Sequence, residues 1–351
     1  MRFYRNIIQC IPDDKILILK DRFLKTLDFF FLNEFFRLLN RKKYIILWYH
    51  GVSHRFISFS TRHIAQSEFE KQIKYLKRKR YTFITLTKLI DIINTKKKIK
   101  SRIVIFSFDD GFKNIIKNAY PLMKKYDVKG CLYVISDLID GDELIWTDYI
   151  DLLIRNYGGS ILNFKFKNKN IEYPLFSKIM IKNCINDIKE RLRTLNNNER
   201  IHHLEQFRIP NKLSSFHNIP EEYVLADGKE IASLNRNILE IGSHTKSHPN
   251  LPRLKTKEEF EKELNEARIE IENYVGYKVK HLCYPAGAFN DITIKFAKEY
   301  KYLTGVTTIS GLNSGKTDLF KLKRLRVDNN FILFKAKISG LYSFMKKFFK
   351  L

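Results

Sequence analysis

Seven short runs rich in β-branched and aromatic residues recur along the chain, and stretches with helical periodicity separate them. Strands that alternate with helices in this way favour a parallel sheet with crossover helices, and seven such strands suit a closed α/β barrel. The predicted strands are YIILWY (44–49), RIVIFSF (102–108), GCLYVI (130–135), ILEIGS (238–243), VKHLCY (279–284), YLTGVT (302–307) and LKRLRV (322–327).

The flanking and intervening segments complete the predicted organisation. Residues 1–43 are predicted to form an N-terminal helical extension, 44–330 the barrel, and 331–351 a basic amphipathic C-terminal helix. The alternation breaks between about 150 and 225, where a hairpin pattern (161–175) and further helical segments predict an insertion on the barrel rim. The run SEFEKQIKYLKRK (67–79) predicts a helix that opens with a capping box, and 257–275 predicts another helix.

The charge of the chain points to an anionic partner. With 64 Lys+Arg against 38 Asp+Glu, the formal net charge is +26, which suits a membrane surface, a nucleic acid or an anionic glycan. The basic runs are scattered over unrelated segments, which makes a nucleic-acid footprint unlikely. The phenylalanine-rich ends suit amphipathic helices at an anionic membrane interface, and packing of these helices on the barrel is the alternative.

Two further features bear on the compartment. The chain has no apolar run of about 18 residues, and Asp13 and Asp14 interrupt the N-terminus where a signal peptide would be apolar. We therefore expect a cytoplasmic protein, with peripheral contact at the inner membrane face left open. The four cysteines are far apart in sequence, so reduced, buried thiols are favoured over disulfides or a zinc cluster.

Polar residues follow the predicted strands where parallel α/β folds build their sites. His50, the pair Asp109 and Asp110, and the pair His244 and His248 each come directly after a strand. Two imidazoles and one carboxylate suit a divalent metal with open positions, and the second carboxylate is then free to accept a proton. Taken singly, the aspartates also suit a solvated turn and the histidines a surface or core position, and the set also describes a non-haem iron oxygenase.

The segments FSFDDGF (106–112), IGSHTKSHPNL (241–251) and LCYPAGAF (282–289) resemble the first three motifs of the polysaccharide deacetylases, the NodB-homology group of carbohydrate esterase family 4. WYHGVS (48–53) resembles a flanking segment of the same family. The resemblance implies a distorted (β/α) barrel and metal-dependent removal of N-acetyl groups from amino sugars.

The resemblance also implies roles for individual residues. Asp109 would be the general base, and Asp110, His244 and His248 would hold a divalent metal, Zn²⁺ in the first place. The backbone amide of Tyr284, within a turn that includes Gly287, would stabilise the oxyanion.

Two departures from the family pattern affect these assignments. Many members carry an arginine near the position of Cys283, and Arg324, at the end of another strand, is the candidate substitute. The late Leu-x-His motif that supplies the general acid is absent, so His50 is the candidate acid and His281 a weaker one.

The expected function is therefore a metal-dependent deacetylase that acts on the N-acetyl group of an amino sugar in a cell-surface polysaccharide or its lipid-linked precursor. Trp146 and Tyr149, at the start of the insertion, are candidates to stack on sugar rings, with core packing as the alternative. The alternative function is a non-catalytic, basic relative that binds membrane or glycan.

Overall fold

The computed structural model describes Thr26 and residues 31–55, 57, 62–95, 102–141, 143–208, 219–327 and 329–349. Most of the predicted N-terminal extension, including Cys10, lies outside the described residues, as do the basic run 96–100 and residues 209–218 of the predicted insertion.

Seven parallel strands close into a barrel. The strands of the structure are, in chain order, β1 (Ile45–Tyr49), β2 (Gly51–Ser53), β3 (His63–Ala65), β4 (Thr82–Phe83), β5 (Ile103–Phe108), β6 (Gly130–Val134), β7 (Ile161–Phe166), β8 (Lys169–Pro174), β9 (Leu239–Ser243), β10 (His281–Cys283), β11 (Thr304–Ser310) and β12 (Leu322–Arg326). The ring runs β1, β5, β6, β9, β10, β11, β12 and back to β1. The predicted seven-stranded barrel is confirmed, and six of the seven strands lie within their predicted runs. The exception, β11, extends three residues beyond its predicted end at 307.

Burial on both faces explains why the strand sequences are almost continuously apolar. All six residues of β5 are buried. Phe106 and Phe108 belong to the larger core cluster, under the helix Gln66–Arg78, while Ile105 belongs to a smaller cluster with Cys131 and Cys283 from other barrel strands. Since side chains alternate along a strand, Ser107 shares the face of Ile105. That face leads directly to Asp109.

Helices cover the outside of the barrel. The α-helices of more than four residues are Leu32–Leu39, Gln66–Arg78, Leu86–Asn94, Tyr120–Tyr126, Trp146–Arg155, Lys178–Arg193, Asn197–Arg208, Gly228–Ala232, Ala267–Val275, Asp291–Glu299, Phe331–Ser339 and Leu341–Phe349. The predicted helix at 257–275 is continuous but contains a π-helical turn, Glu261–Glu266. The predicted capping box at Ser67 is wrong, because the helix begins at Gln66 and its N-cap, Ala65, makes no side-chain cap.

The insertion forms a small unit with its own apolar cluster. Strands β7 and β8 make an antiparallel hairpin, as predicted, with Phe164 opposite Ile171. The hairpin packs on the helices Trp146–Arg155, Lys178–Arg193 and Asn197–Arg208 through a cluster that includes Phe164, Ile188 and Phe207. These contacts give the insertion a fixed position from which it can reach the barrel.

The terminal helices pack together at one side of the barrel. The predicted single C-terminal helix is divided in two at Gly340, whose φ is +90°, a value that favours glycine. The helix Leu32–Leu39 contacts both halves, while Phe31, Phe35, Leu38 and Leu39 are 54–75% exposed. Within the described part of the chain, every helix is too short or too polar to span a bilayer.

Candidate active site

The predicted site residues converge at the C-terminal ends of the barrel strands. His50 follows β1, Asp109 and Asp110 follow β5, and His244 follows β9, with His248 four residues further along the same loop. All but His50 and His248, which are partly buried, are buried. The structure therefore brings together five side chains that are up to about 200 residues apart in sequence.

Asp110, His244 and His248 present one ligand atom each to a common point. Asp110 Oδ1 lies 3.4 Å from His244 Nε2 and 3.9 Å from His248 Nε2, and the two imidazole centroids are 4.8 Å apart. The three ligand atoms all lie within 4.8 Å of one another. Nitrogen and oxygen donors at these separations fit a single divalent cation.

Hydrogen bonding and burial prepare the histidines as ligands. His244 Nδ1 lies 2.8 Å from the carbonyl oxygen of Cys283, so Nδ1 donates the hydrogen bond and Nε2 faces Asp110. Burial lowers the pKa of His248 to about 3, so its ring is neutral and able to bind a metal. Burial acts to raise the pKa of Asp110, but the nearby histidines outweigh it and lower that pKa.

The backbone holds these ligands in unusual conformations. Asp110 has φ +76°, His248 φ +57° and Thr245, between the two histidines, φ +71°. Residues with a Cβ rarely adopt positive φ, and such conformations cluster at functional sites. The loops therefore carry backbone strain at the residues that face the common point.

Asp109 is held by Arg324. Two hydrogen bonds join the side chains, from Arg324 Nη1 to Asp109 Oδ1 (2.6 Å) and from Arg324 Nη2 to Asp109 Oδ2 (2.8 Å). Arg324 is 1% exposed and also donates through Nε to the carbonyl oxygen of Thr307. Burial acts to raise the pKa of Asp109, and the guanidinium outweighs it and lowers that pKa. Asp109 is therefore an ionised carboxylate in a fixed orientation beside the three ligand atoms.

Cys283 offers a second group of donors with Asp109 and His244. Its Sγ lies 3.4 Å from Arg324 Nη2, and burial raises the pKa of the thiol. A neutral thiol next to a guanidinium is a poor metal ligand. Metal ions bind the thiolate form of cysteine, and the positive charge of the guanidinium repels a metal ion. The group Asp110, His244 and His248 is the better candidate.

The third-motif turn differs from its predicted role at Tyr284. The Tyr284 N–H donates to the carbonyl oxygen of Val306, so it is engaged in the sheet rather than available to an oxyanion. Gly287 N–H donates to the carbonyl oxygen of Tyr284, and Ala288 N–H to that of Pro285. Within the described residues, Ala286 N–H has no acceptor, which makes it the available donor in this turn.

Gly287 is required for the turn itself. Its φ is +71°, and a Cβ built there would lie 2.1 Å from Thr308 Oγ1. A residue with a side chain would therefore force β10 and β11 apart at the edge of the site.

His50 lies beside the aspartates, whereas His281 does not. Burial lowers the pKa of His50 to about 4, against the opposing effect of Asp110 and Asp109. His281 is the first residue of β10, at the opposite end of the barrel, where its ring nitrogens meet Thr87 Oγ1 (3.1 Å) and Thr304 Oγ1 (2.9 Å). His281 is therefore too remote to be the acid.

Comparison with known proteins gives the family. The family model described as Polysaccharide deacetylase matches residues 187–305, which include both histidines and the third-motif turn. The predicted resemblance of the chain to the polysaccharide deacetylase family is therefore confirmed. Members of this family are hydrolases that act on carbon–nitrogen bonds other than peptide bonds, and the chain is an enzyme of this class.

The curated relatives include two informative deacetylases. The chain is 23% identical over 282 residues to YxkH of Bacillus subtilis, described as a candidate polysaccharide deacetylase, an alignment that covers 80% of this chain and 70% of YxkH. It is 38% identical over 73 residues to the poly-β-1,6-N-acetyl-D-glucosamine N-deacetylase of Staphylococcus aureus, which covers 21% of this chain and a quarter of that enzyme.

Solved deacetylase structures share the fold. The deacetylase PplD of Streptococcus pyogenes superposes with a TM-score of 0.56 at 18% identity, covering 86% of this chain and 98% of PplD. IcaB of Ammonifex degensii gives a TM-score of 0.55 at 16% identity, covering 85% of this chain and 97% of IcaB.

The deacetylase insertion contacts the loop that bears His248. Trp146 Nε1 (3.4 Å) and Arg200 Nη1 (3.2 Å) both donate to the carbonyl oxygen of His248, and Arg200 Nη2 donates to that of Ser247. The Arg200 guanidinium lies 4.9 Å from the centroid of the Trp146 ring. Arg200 therefore covers one face of Trp146, and stacking of Trp146 on a sugar ring stays a prediction. Both residues support the loop that bears His248.

Arg62 is a further residue of the deacetylase site that the sequence patterns do not single out. Its Nη1 lies 3.4 Å from Asp110 Oδ2, and its other nitrogen pairs with the fully buried Asp148 of the insertion. Arg62 thus supports Asp110 on the side away from the histidines. Arg62 lies outside the sequence motifs, so its link to the site is visible only in the three-dimensional structure.

Proposed function

We propose that this deacetylase removes the N-acetyl group of an amino sugar in a cell-surface polysaccharide or its lipid-linked precursor, using a divalent metal, Zn²⁺ in the first place. One observation carries the proposal: Asp110, His244 and His248 face one point, and Asp109, gripped by Arg324, stands beside them. Three metal ligands and an unligated base suit metal-dependent hydrolysis of an amide. The acetylated glycan is suggested by the family and by the named activity of the staphylococcal relative.

The residues Asp110, His244 and His248 would hold the metal, which supplies Lewis-acid activation of the amide carbonyl and lowers the pKa of water. Mixed nitrogen and oxygen ligands with a position left open are typical of catalytic zinc. The carbonyl oxygen of Cys283 fixes the orientation of His244, and Arg62 supports Asp110.

Asp109 would act as general base. Because Arg324 keeps its carboxylate ionised and fixed, Asp109 can accept a proton from the water that attacks the acetamide carbon. The N–H of Ala286 would then donate a hydrogen bond to the oxygen that becomes negatively charged, in the place expected for Tyr284.

His50 would protonate the leaving amine. Since burial lowers its pKa to about 4, its ring is neutral at pH 7 in the free protein and must first gain a proton, from Asp109 or from solvent. Collapse of the tetrahedral intermediate breaks the carbon–nitrogen bond, the amine takes the proton, and the products are acetate and a free amino sugar.

An acetate-release assay on N-acetylglucosamine oligomers tests the proposal. The purified protein, supplied with Zn²⁺, is expected to release acetate in proportion to the free amine formed, with no consumption of oxygen. Absence of acetate with every N-acetylated glycan tried, while the protein binds those glycans, would favour the non-catalytic alternative. Oxygen uptake would favour an iron oxygenase.

The exposed face of the helix Leu32–Leu39 supports peripheral contact with an anionic membrane. Phe31, Phe35, Leu38 and Leu39 share one side of this helix, since they stand at positions i, i+4, i+7 and i+8. The exposed cations 41–43 follow immediately. An apolar face bordered by cations is typical of interfacial helices, and it would bring the enzyme to a substrate carried on lipid.

A further inference from the structure

A large cavity lies at the opposite end of the barrel from the candidate catalytic residues. It has a volume of about 670 Å³, within the range of small-molecule sites, and lies at the N-terminal ends of β6, β9 and β10. In (β/α) barrels this end normally serves stability alone. A cavity of this size here is therefore separate from the deacetylase site and calls for its own explanation.

The floor of the cavity is polar and already satisfied. Glu240 Oε2 accepts hydrogen bonds from Leu86 N (3.0 Å) and Thr87 N (3.3 Å), and both ring nitrogens of His281 meet threonine hydroxyls. Burial lowers the pKa of His281 to about 3 and raises the pKa of Glu240. The floor thus contributes at most one negative charge and holds its shape without a ligand.

The walls carry five cations, Lys88, Lys129, Arg236, Lys278 and Lys280, against one carboxylate, Asp91. Two of the wall cations have carboxylate partners, Lys129 with Asp127 (2.6 Å) and Lys278 with Glu272 (2.8 Å). The remaining three, Lys88, Arg236 and Lys280, have no carboxylate within 4.0 Å among the residues that the structure describes. Like charges that line one concave surface reinforce one another and attract anions.

We infer that this cavity, through Lys88, Arg236 and Lys280, binds a phosphorylated ligand of about sugar-phosphate size, either a free molecule or the phosphorylated end of a chain. A phosphate group offers several charged oxygens, so it can engage an arginine fork and lysines at once, which a single carboxylate does less well. The rings of Phe83 and Tyr277, also in the wall, provide apolar surface for the rest of the ligand.

Calorimetric titration of the full-length protein with inorganic pyrophosphate, in about 150 mM salt to screen diffuse attraction, tests the inference. We expect saturable binding to one site. The double variant Arg236→Gln/Lys280→Gln is expected to weaken binding by about tenfold or more. The matched control Lys262→Gln/Lys295→Gln removes the same charge from exposed lysines outside the cavity and should bind as the parent protein does.

Two outcomes would overturn the inference: no saturable binding to the parent protein, or equal weakening in both double variants, which would indicate diffuse attraction to the basic chain. If the cavity double variant fails to fold, the single change Lys88→Gln, at an exposed side chain, is expected to weaken binding about threefold. Glucose 1-phosphate and a phosphorylated oligosaccharide, used in parallel, distinguish a free ligand from a chain end. Acetate release should be unchanged in these variants, so this test is independent of the proposed deacetylase activity.

Discussion

Arg324 shows how a single residue can replace one that the family pattern leads us to expect. Cys283 stands near the usual position of the arginine that orients the base, and Arg324 reaches the same carboxylate from β12. The bond joins residues 215 positions apart in sequence. A bidentate, buried pair fixes both the charge and the direction of the Asp109 carboxylate, so the proposed base keeps an orienting cation although the motif is altered.

Changing Asp109→Asn is expected to abolish turnover and leave metal binding intact. The amide cannot accept the proton of the attacking water, and Asp109 is not among the three proposed ligands. We expect kcat to fall by about 10³-fold or more, with Zn²⁺ content, measured by atomic absorption, near that of the parent protein. His244→Ala should lose both activity and zinc, and retention of zinc in that variant would contradict the ligand assignment.

Changing Arg324→Met is expected to move the acid limb of the pH profile upward. In the parent protein the guanidinium outweighs burial and lowers the pKa of Asp109, so the base stays ionised well below pH 7. Without Arg324, burial is opposed only by the smaller lowering effect of His244 and His50, so the pKa of Asp109 is expected to rise. As the pH is lowered, the variant should lose activity at a higher pH than the parent protein does. The measurement is kcat/KM of both proteins between pH 4 and 9.

Arg326→Met is the matched control for this change, because Arg326 lies two residues further on β12 and its side chain is exposed. Its profile should match that of the parent protein. An Arg324 variant that is less active but keeps the parent acid limb would show that Arg324 supports only the fold.

At the scale of elements, the insertion braces the loop between His244 and His248. The carbonyl oxygens of Ser247 and His248 receive hydrogen bonds from Arg200, and Glu263 accepts from Ser247 through both N–H and hydroxyl. Such contacts explain how His248 is kept at positive φ. Outer contacts of this kind commonly change metal affinity when removed.

Replacing Arg200→Met is accordingly expected to weaken Zn²⁺ binding by about 10- to 100-fold. The change leaves all three ligands in place but frees the loop, and competition with a chelating dye measures the affinity directly. Arg253→Met, at an exposed arginine on the turn Leu251–Arg253, is the control and should not alter affinity. Equal zinc affinity in the Arg200 variant would show that the insertion does not position the ligand.

Across the whole molecule, the sequence predicts the barrel better than it predicts the contacts between distant segments. All seven barrel strands follow from their apolar runs, and the metal-ligand candidates follow from their places after strands, because both signals are local. Arg62 contacts Asp110, and Arg200 contacts the loop that bears His248. These contacts depend on how the insertion packs against the barrel, which a local sequence pattern does not predict. Tyr284 fails as an oxyanion donor because the sheet uses its N–H.

The exposed helix face and the basic residues near it predict membrane binding by the whole protein. Full-length protein should co-sediment with vesicles that contain about 30% phosphatidylglycerol and not with neutral ones, because cations and apolar side chains act together. Phe35→Ser/Leu39→Ser should reduce the bound fraction several-fold. Phe176→Ser/Ile179→Ser, which removes still more exposed apolar side chains from the insertion, is the control.

Equal loss in both double variants would point to general hydrophobicity. Unchanged binding of the Phe35→Ser/Leu39→Ser variant would instead indicate that another part of this chain covers the face.

The hydrogen bond from His244 to Cys283 uses the main chain of residue 283 and makes no demand on its side chain. The tautomer of His244 therefore does not depend on which side chain occupies position 283. This hydrogen bond therefore sets no limit on exchange of the residue at 283; the limits come from its burial and from the need for another strand to supply a cation for the proposed base. The main chain of residue 283 orients His244, whereas its side chain takes no part in that hydrogen bond. The arginine that orients the proposed base can therefore come from a different strand while the metal-ligand candidates keep their positions.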